Sequence, residues 1–459
     1  MTVASPSPLR VAIVGAGPSG LFAADALLKA RDDVRVDVLD RLPTPYGLVR
    51  YGVAPDHEKI KSVTRAFEKT CRDPRLRYFG NVELGRDLSI GELRERAHAV
   101  ILAVGASSDR ALGVPGEDLD GSISATEFVA WYNGHPDFVD VVPPLDSERV
   151  AVVGMGNVAV DVARILAKSV DELRGTDIAE HALDALAESR VREIVMLGRR
   201  GPAQAKWTTK ELRELGELTN ADLLLDPHEL ELEEASLAEA EADRATKRNL
   251  ELLDGFARQE PQGKPRRLRI RFRVSPVALH GEDGRVAGVE LARNRLEARE
   301  GGYVAAVDTG ERETIAAQAL LRSVGYRGVP LAGVPFDDRR GVVPNDAGRV
   351  LDDAGRAVPG TYVAGWIKRG PSGVIGTNKA DAAETVRALL ADPLPAPAHA
   401  DEAALPDLLA ERGARSVDFP GWLALDRFET ASGAEHGRSR RKVVRVEEML
   451  ERARDVAGD

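Results

Sequence analysis

The chain has 459 residues, which at about 150 residues per domain leaves room for two or three domains. Lys and Arg total 63 against 74 Asp and Glu, a formal net charge of −11, so a polyanion such as DNA is disfavoured as the main ligand. A single cysteine, Cys71, excludes an internal disulfide, a redox-active cysteine pair, a cysteine-based zinc site and an iron–sulfur cluster held by this chain. Electron chemistry must then use a bound organic cofactor or a partner protein.

The opening MTVASPSPLR has no apolar segment, and no stretch reaches the roughly 18 consecutive apolar residues of a membrane span. A cytoplasmic location with no membrane partner is the expectation. The run from Leu9 to Leu28, LRVAIVGAGPSGLFAADALL, then reads as a buried strand, the turn Gly15-x-Gly17-x-x-Gly20, and a helix with Leu21, Ala24, Leu27 and Leu28 on one face. The next strand, Val34 to Leu39, ends at Asp40, twenty residues after Gly20. This is the setting in which a GxGxxG binds a dinucleotide. Gly15 permits the tight turn, Gly17 lets a pyrophosphate approach the backbone, and Gly20 lets the helix pack on the strand. The helix N-terminus faces the phosphates and Asp40 accepts from ribose hydroxyls.

A second copy starts at Arg149. RVAVVGMGNVAVDVARILAKS gives a strand, Gly154-x-Gly156-x-x-Ala159, and a helix packed through Val160, Ala163, Ile165 and Leu166. The following strand, Glu193 to Gly198, runs into Arg199-Arg200 where an acid would stand. Guanidinium groups there supply bidentate donors for a 2′-phosphate, which favours NADP over NAD; the alternative is a solvated strand end. Residues 98–106 and 318–326 are each an apolar strand closing on a glycine turn, and each follows one of the two motifs. Two nucleotide sites of similar build on one chain, an α/β protein with two Rossmann-like domains, are expected.

Elsewhere, Leu212 to Leu252 reads as helical and solvated. Residues 266–280, 285–297 and 303–315 alternate like an antiparallel strand set. Gly360 to Trp366 reads as a buried strand, followed from about Gly373 by a helix to Leu390. Beyond a proline-rich linker at 392–401, two short helices and the basic run GRSRRKVVR are expected. The eight scattered histidines form no ligand cluster, so no metal is expected, and there is no nucleophile elbow.

An acid at one ribose position and arginines at the other suggest FAD in the first site and NADPH in the second. Hydride passes between a nicotinamide and a flavin by proximity and orientation, so no activated nucleophile is needed. Without a cysteine pair the electrons must leave to an external acceptor.

PTPYGLVRYGVAPDHEKIK (43–61), the GxGxxA at Gly154, GRRGPAQAKWTTKELREL (198–215) and AGWIKRGPSGVIGTNKADA (364–382) together resemble the adrenodoxin reductase-type ferredoxin–NADP reductases, in order along the whole chain. The resemblance implies an FAD domain in two parts, 1–107 and 332–459, with an NADP domain at 108–331 inserted between them. It implies hydride transfer from NADPH to FAD N5 and single electrons delivered to a separate, acidic iron–sulfur ferredoxin. For FAD it points to Gly15, Ala16, Gly17, Gly20, Asp40, Leu48, Trp366, Gly373, Val374 and Ile375; for NADP to Arg110, Gly156, Asn157, Val158, Ala159, Arg199, Arg200 and Glu211. His57, Asp161 and Glu214 would be orienting and proton-linked groups near the nicotinamide and flavin.

Each has a plainer reading. His57 could be an exposed loop histidine, Asp161 an acid favourable to the helix dipole, Glu211 and Glu214 a solvated face, and Trp366 core packing. The chain departs from the family at Asp40, where glutamate is frequent, at Tyr46, where tryptophan is common, and at AKWTT (205–209). Two basic clusters are candidate docking faces for an acidic ferredoxin: Arg244, Lys247 and Arg248, and Arg438, Arg440, Arg441 and Lys442. A flavin-dependent NADPH oxidase or monooxygenase is the alternative function.

Overall fold

Alternate residues of the strand Leu9–Val14 go to opposite faces of a sheet covered on both sides, which is why all six are buried. In the computed structural model, which describes residues 8–454, Val11 and Ile13 join one apolar cluster while Ala12 and Val14 join another. The first cluster lies under the helices Pro18–Ala30 and Thr377–Ala391, and the second includes Leu405, Leu408 and Leu409 of the helix Ala404–Glu411.

The chain forms two units. One takes the chain up to Ser108, Asn133–Pro136 and everything from Tyr326; the other takes Asp109–Tyr132 and Asp137–Gly325. In the first, a seven-stranded sheet has the order Asn345–Asp346, Arg349–Leu351, Ala357–Val363, Ala99–Leu102, Leu9–Val14, Val34–Leu39, Leu76–Phe79. Its last five strands are parallel, and the two short edge strands run antiparallel.

In the second unit a six-stranded parallel sheet has the order Ser122–Ser124, Ala319–Arg322, Arg149–Val153, Glu193–Gly198, Arg266–Phe272, Ala221–Leu225. In both sheets the glycine-motif strand lies between its closing strand and the strand after its helix. The two echoes in the sequence are the same topology used twice, and the class is α/β with two Rossmann-like sheets.

Several expectations need correction. Leu212 to Leu252 is not continuous helix: the helix Thr209–Gly216 is followed by a strand, Ala221–Leu225, that extends the parallel sheet before helices Glu234–Ala242 and Arg244–Ala257. Its Asp-Leu-Leu-Leu run fits a helix pattern equally well, and pairing with Arg266–Phe272 decides. Residues 266–280 are two strands. The first is parallel in the large sheet; at Arg273, with φ of 57°, the chain turns into Val274–Glu282, which forms a three-stranded antiparallel sheet with Arg285–Ala298 and Val304–Ile315. Among its described residues the C-terminal region holds three helices, one of them the 17-residue Phe419–Glu435. After the strand Ala357–Val363 a four-residue helix, Trp366–Arg369, precedes the long helix, which starts at Thr377. Among the described residues no helix is long and apolar enough to cross a membrane.

Candidate functional site

The first glycine turn has three glycines with three different physical reasons. Gly15 sits at φ of 110°, and a Cβ there would lie 2.4 Å from the carbonyl oxygen of Ala103. A Cβ on Gly20 would lie 1.9 Å from the oxygen of Gly15, so only glycine lets the helix pack this close. Gly17 differs: a Cβ would come no nearer than 3.8 Å to the Cα of Gly47. Gly17 caps the helix Pro18–Ala30 without any side-chain hydrogen bond, so the first-turn N–H groups stay available to an anion.

Asp40 ends the second strand with both carboxylate oxygens on the backbone, accepting from Ala16 N at 2.8 Å and Leu42 N at 3.0 Å. Burial pushes its carboxyl above the usual range, against the pull of those two N–H groups. Each oxygen keeps a second lone pair for a hydroxyl. The segment after it returns to the turn: Tyr46 N donates to Ala16 O at 2.9 Å, and the half-buried Leu48 opens the short helix Leu48–Tyr51.

At the far strand end, Trp366 opens its short helix half-buried, its ring 5.2 Å from that of Tyr326, and its indole N–H donates to Ser372 O at 3.2 Å. Gly373, at φ of 80°, and Val374 are exposed, whereas Ile375 packs on the apolar cluster. His57 is buried, just before the helix Glu58–Lys61, which overturns the exposed-loop reading.

In the second unit Gly154 has φ of 133°, with Ser323 O 2.3 Å from where a Cβ would stand, while nothing lies within 4 Å of a Cβ on Gly156. Gly156 caps the helix Asn157–Ala167, again without a side-chain hydrogen bond. A strap that local sequence gives no sign of crosses this turn: Lys206 N donates to Met155 O at 2.7 Å and Thr208 N to Asn157 Oδ1 at 2.8 Å. Val158 is half-buried and Ala159 fully buried.

Arg199 is exposed and Arg200 half-buried, its guanidinium 5.5 Å from the Tyr303 ring centroid. Among the described residues neither has a carboxylate partner, and Arg110 is likewise exposed. Glu211 is buried and its Oε2 has no hydrogen-bond partner among the described residues, which rejects its reading as part of a solvated face. Asp161 and Glu214 are brought together on one cation, the buried Arg164. That arginine, three residues after Asp161, was legible as a helix pair and missed.

The C-terminal basic run is corrected as a docking face. Arg438 and Lys442 are buried, and Arg440 pairs with Glu429 at 2.7 Å and Asp426 at 2.8 Å, so only Arg441 of the four stands exposed. Burial of cations against internal carboxylates and carbonyls left no local trace in the sequence.

Two uncapped glycine turns on parallel sheets, one ending in an acid and one in unpaired arginines, are suited to hold two dinucleotides. They are the turns of a flavoprotein oxidoreductase with two Rossmann-like units. Residues 9–198 match the pyridine nucleotide-disulphide oxidoreductase family, though the single cysteine leaves no disulphide step here. The chain is 50% identical over 460 residues to the NADPH-ferredoxin reductase FprA of Mycobacterium tuberculosis (strain H37Rv), covering 96% of this chain and 98% of that one. It is 44% identical over 462 residues to the mitochondrial NADPH:adrenodoxin oxidoreductase of Arabidopsis thaliana, covering 97% and 96%. The solved structure of Mycobacterium tuberculosis FprA in complex with NADPH matches with a TM-score of 0.91 at 49% identity, over 97% of this chain and 99% of that one. The chain belongs to the adrenodoxin reductase-type ferredoxin–NADP reductases.

Proposed function

We propose that this chain is an FAD-containing NADPH–ferredoxin reductase, working in the cytoplasm, whose first unit holds FAD and whose second holds NADPH. FAD held there would supply the chemistry that no side chain of this protein offers: acceptance of two electrons as hydride from NADPH and their delivery one at a time to ferredoxin. The observation that carries the assignment of the halves is the contrast at the strand ends: Asp40 accepts hydrogen bonds, while Arg199 and Arg200 have no carboxylate partner among the described residues.

The protein's own part is binding and orientation. The uncapped N–H groups of Pro18–Ala30 receive the FAD pyrophosphate, and those of Asn157–Ala167 the NADPH pyrophosphate. Asp40 holds the FAD ribose, Trp366, Gly373, Val374 and Ile375 line the flavin, and Arg199 and Arg200 clamp the 2′-phosphate. Glu211 Oε2, with no donor of its own, is available to a nucleotide hydroxyl. His57, Asp161 and Glu214 orient the reacting ends and carry linked protons.

The ferredoxin served is an acidic iron–sulfur protein, and its docking face is the cluster Arg244, Lys247 and Arg248. All three are exposed, near the N-terminal end of the helix Arg244–Ala257, where cations oppose the helix dipole and add nothing to its stability.

Anaerobic stopped-flow absorbance tests the whole reading. Flavin bleaching much faster with NADPH than with NADH, reversed by oxidised ferredoxin, is the expected result. Bleaching that only oxygen reverses would make the protein an oxidase or monooxygenase, and a protein that binds no flavin would end the proposal.

A further inference from the structure

The first glycine turn is flanked by a bend that is costly for a non-glycine residue. Tyr46 and Gly47 both have positive φ, 82° and 48°, and Tyr46 is a bulky residue in a region that disfavours it. Through this bend Tyr46 N reaches Ala16 O at 2.9 Å, and a Cβ on Gly47 would lie 3.0 Å from the Cα of Gly17. The bend is thus a wall of the first glycine turn. Leu48, beside it, is one of the residues placed on FAD.

What lies behind the bend is unusual. Arg50, two residues on, buries its guanidinium against Glu429, which is fully buried: Nη1 donates to Oε2 at 2.8 Å and Nη2 to Oε1 at 2.5 Å. The same guanidinium stands 5.2 Å from the Tyr51 ring centroid and 5.3 Å from that of Trp422. Trp422 in turn meets the Tyr46 ring edge-on at 5.7 Å. Glu429 takes two further donors, Arg440 Nη1 at 2.7 Å and Val443 N at 2.9 Å. The buried Lys442 donates to Arg50 O at 3.1 Å and to Asn133 O at 3.2 Å. Burial opposes charge on Glu429, but Arg50 and Arg440 outweigh it and hold its carboxyl below the usual range.

A bidentate pair fixes an angle as well as a distance. An apolar contact would have kept the helix Phe419–Glu435 against the segment without setting that angle. We infer that Glu429 is a positioning residue for FAD: through Arg50 it fixes the Tyr46–Leu48 bend against the Gly15–Gly20 turn. The inference rests on FAD occupying this first turn. It also gives the C-terminal cations a role, since the half-buried Arg440 and the buried Lys442 complete the clamp.

The test follows FAD release from the diluted holoenzyme by recovery of free-flavin fluorescence, with melting temperature measured in parallel. Glu429→Gln is expected to raise the FAD dissociation constant about tenfold or more. Arg50→Lys, which keeps the charge but not the fork, is expected to do the same with a smaller loss of stability. The double variant Arg50→Met with Glu429→Leu replaces the pair by apolar groups, leaves Arg440 its contact with Asp426, and covers the case in which Glu429→Gln does not fold. Its melting temperature is expected to return toward wild type while FAD binding stays weak. FAD affinity that recovers in step with the melting temperature, or that never changes, would overturn the positioning role. Wild-type protein that holds no FAD would overturn the functional reading as well.

Discussion

Glu214 Oε2 lies 3.3 Å from the guanidinium Nε of Arg164, whose Nη1 is 3.0 Å from Asp161 Oδ1. Two carboxylates from different helices are held near each other by one buried cation. Replacing Arg164 by Met leaves both acids without it, and one of them is expected to titrate upward. Urea unfolding should show a loss of about 3 kcal/mol. The pH profile of hydride transfer should shift in the alkaline direction, whereas an unchanged profile would mean that these acids do not touch the chemistry.

The two glycine turns should respond differently to the same substitution. Gly20→Ala forces a Cβ to within 1.9 Å of Gly15 O and is expected to yield protein that holds no flavin and melts early. Gly156→Ala meets nothing within 4 Å, so its melting temperature should stay near wild type. The methyl group would instead occupy the space in which the NADPH pyrophosphate approaches the helix N-terminus. NADPH affinity, by titration calorimetry, is expected to fall about tenfold or more.

Arg199→Ala combined with Arg200→Ala removes guanidinium groups that no carboxylate of the described chain engages. Charge-assisted hydrogen bonds of about 1.5–3 kcal/mol each imply a rise in KM for NADPH of about tenfold or more. KM for NADH should hardly move. An equal change for both nucleotides would place the 2′-phosphate elsewhere.

Reversing Arg244, Lys247 and Arg248 to Glu should leave NADPH-driven reduction of a small dye unchanged, because the side chains are exposed and are none of the residues assigned to the two nucleotides. Ferredoxin reduction should slow by about tenfold at low salt, and most of the difference should vanish as salt is raised.

Stability on the acid side should report His98. Its Nδ1 accepts from Arg10 N at 3.1 Å, and burial together with the Arg10 charge holds the imidazole below its ordinary value of about 6.5. The unfolded chain therefore takes up this proton first. Stability from the neutral ring is present above about pH 6.5 and is lost as pH falls toward the folded value. Between about pH 7.5 and about pH 5.5 the wild type should lose more melting temperature than His98→Asn.

By itself the sequence determined both glycine turns, their strands and helices, and the acid or arginines at the strand ends. These features are local: the β-branched runs, the forced positive φ at Gly15 and the close packing at Gly20 act over a few residues. Tertiary structure decided what depends on partners distant in the chain. Ala221–Leu225 is a strand because Arg266–Phe272 offers it an edge, and the Lys206–Thr208 strap exists because Met155 and Asn157 accept its N–H groups. His57 and Glu211 are buried by surroundings their neighbours in sequence do not reveal. The basic run near the C-terminus looked like a surface because charges default to solvent. Glu429 and the carbonyls of Arg50 and Asn133, 11 to 392 residues away, give Arg440 and Lys442 a reason to be inside.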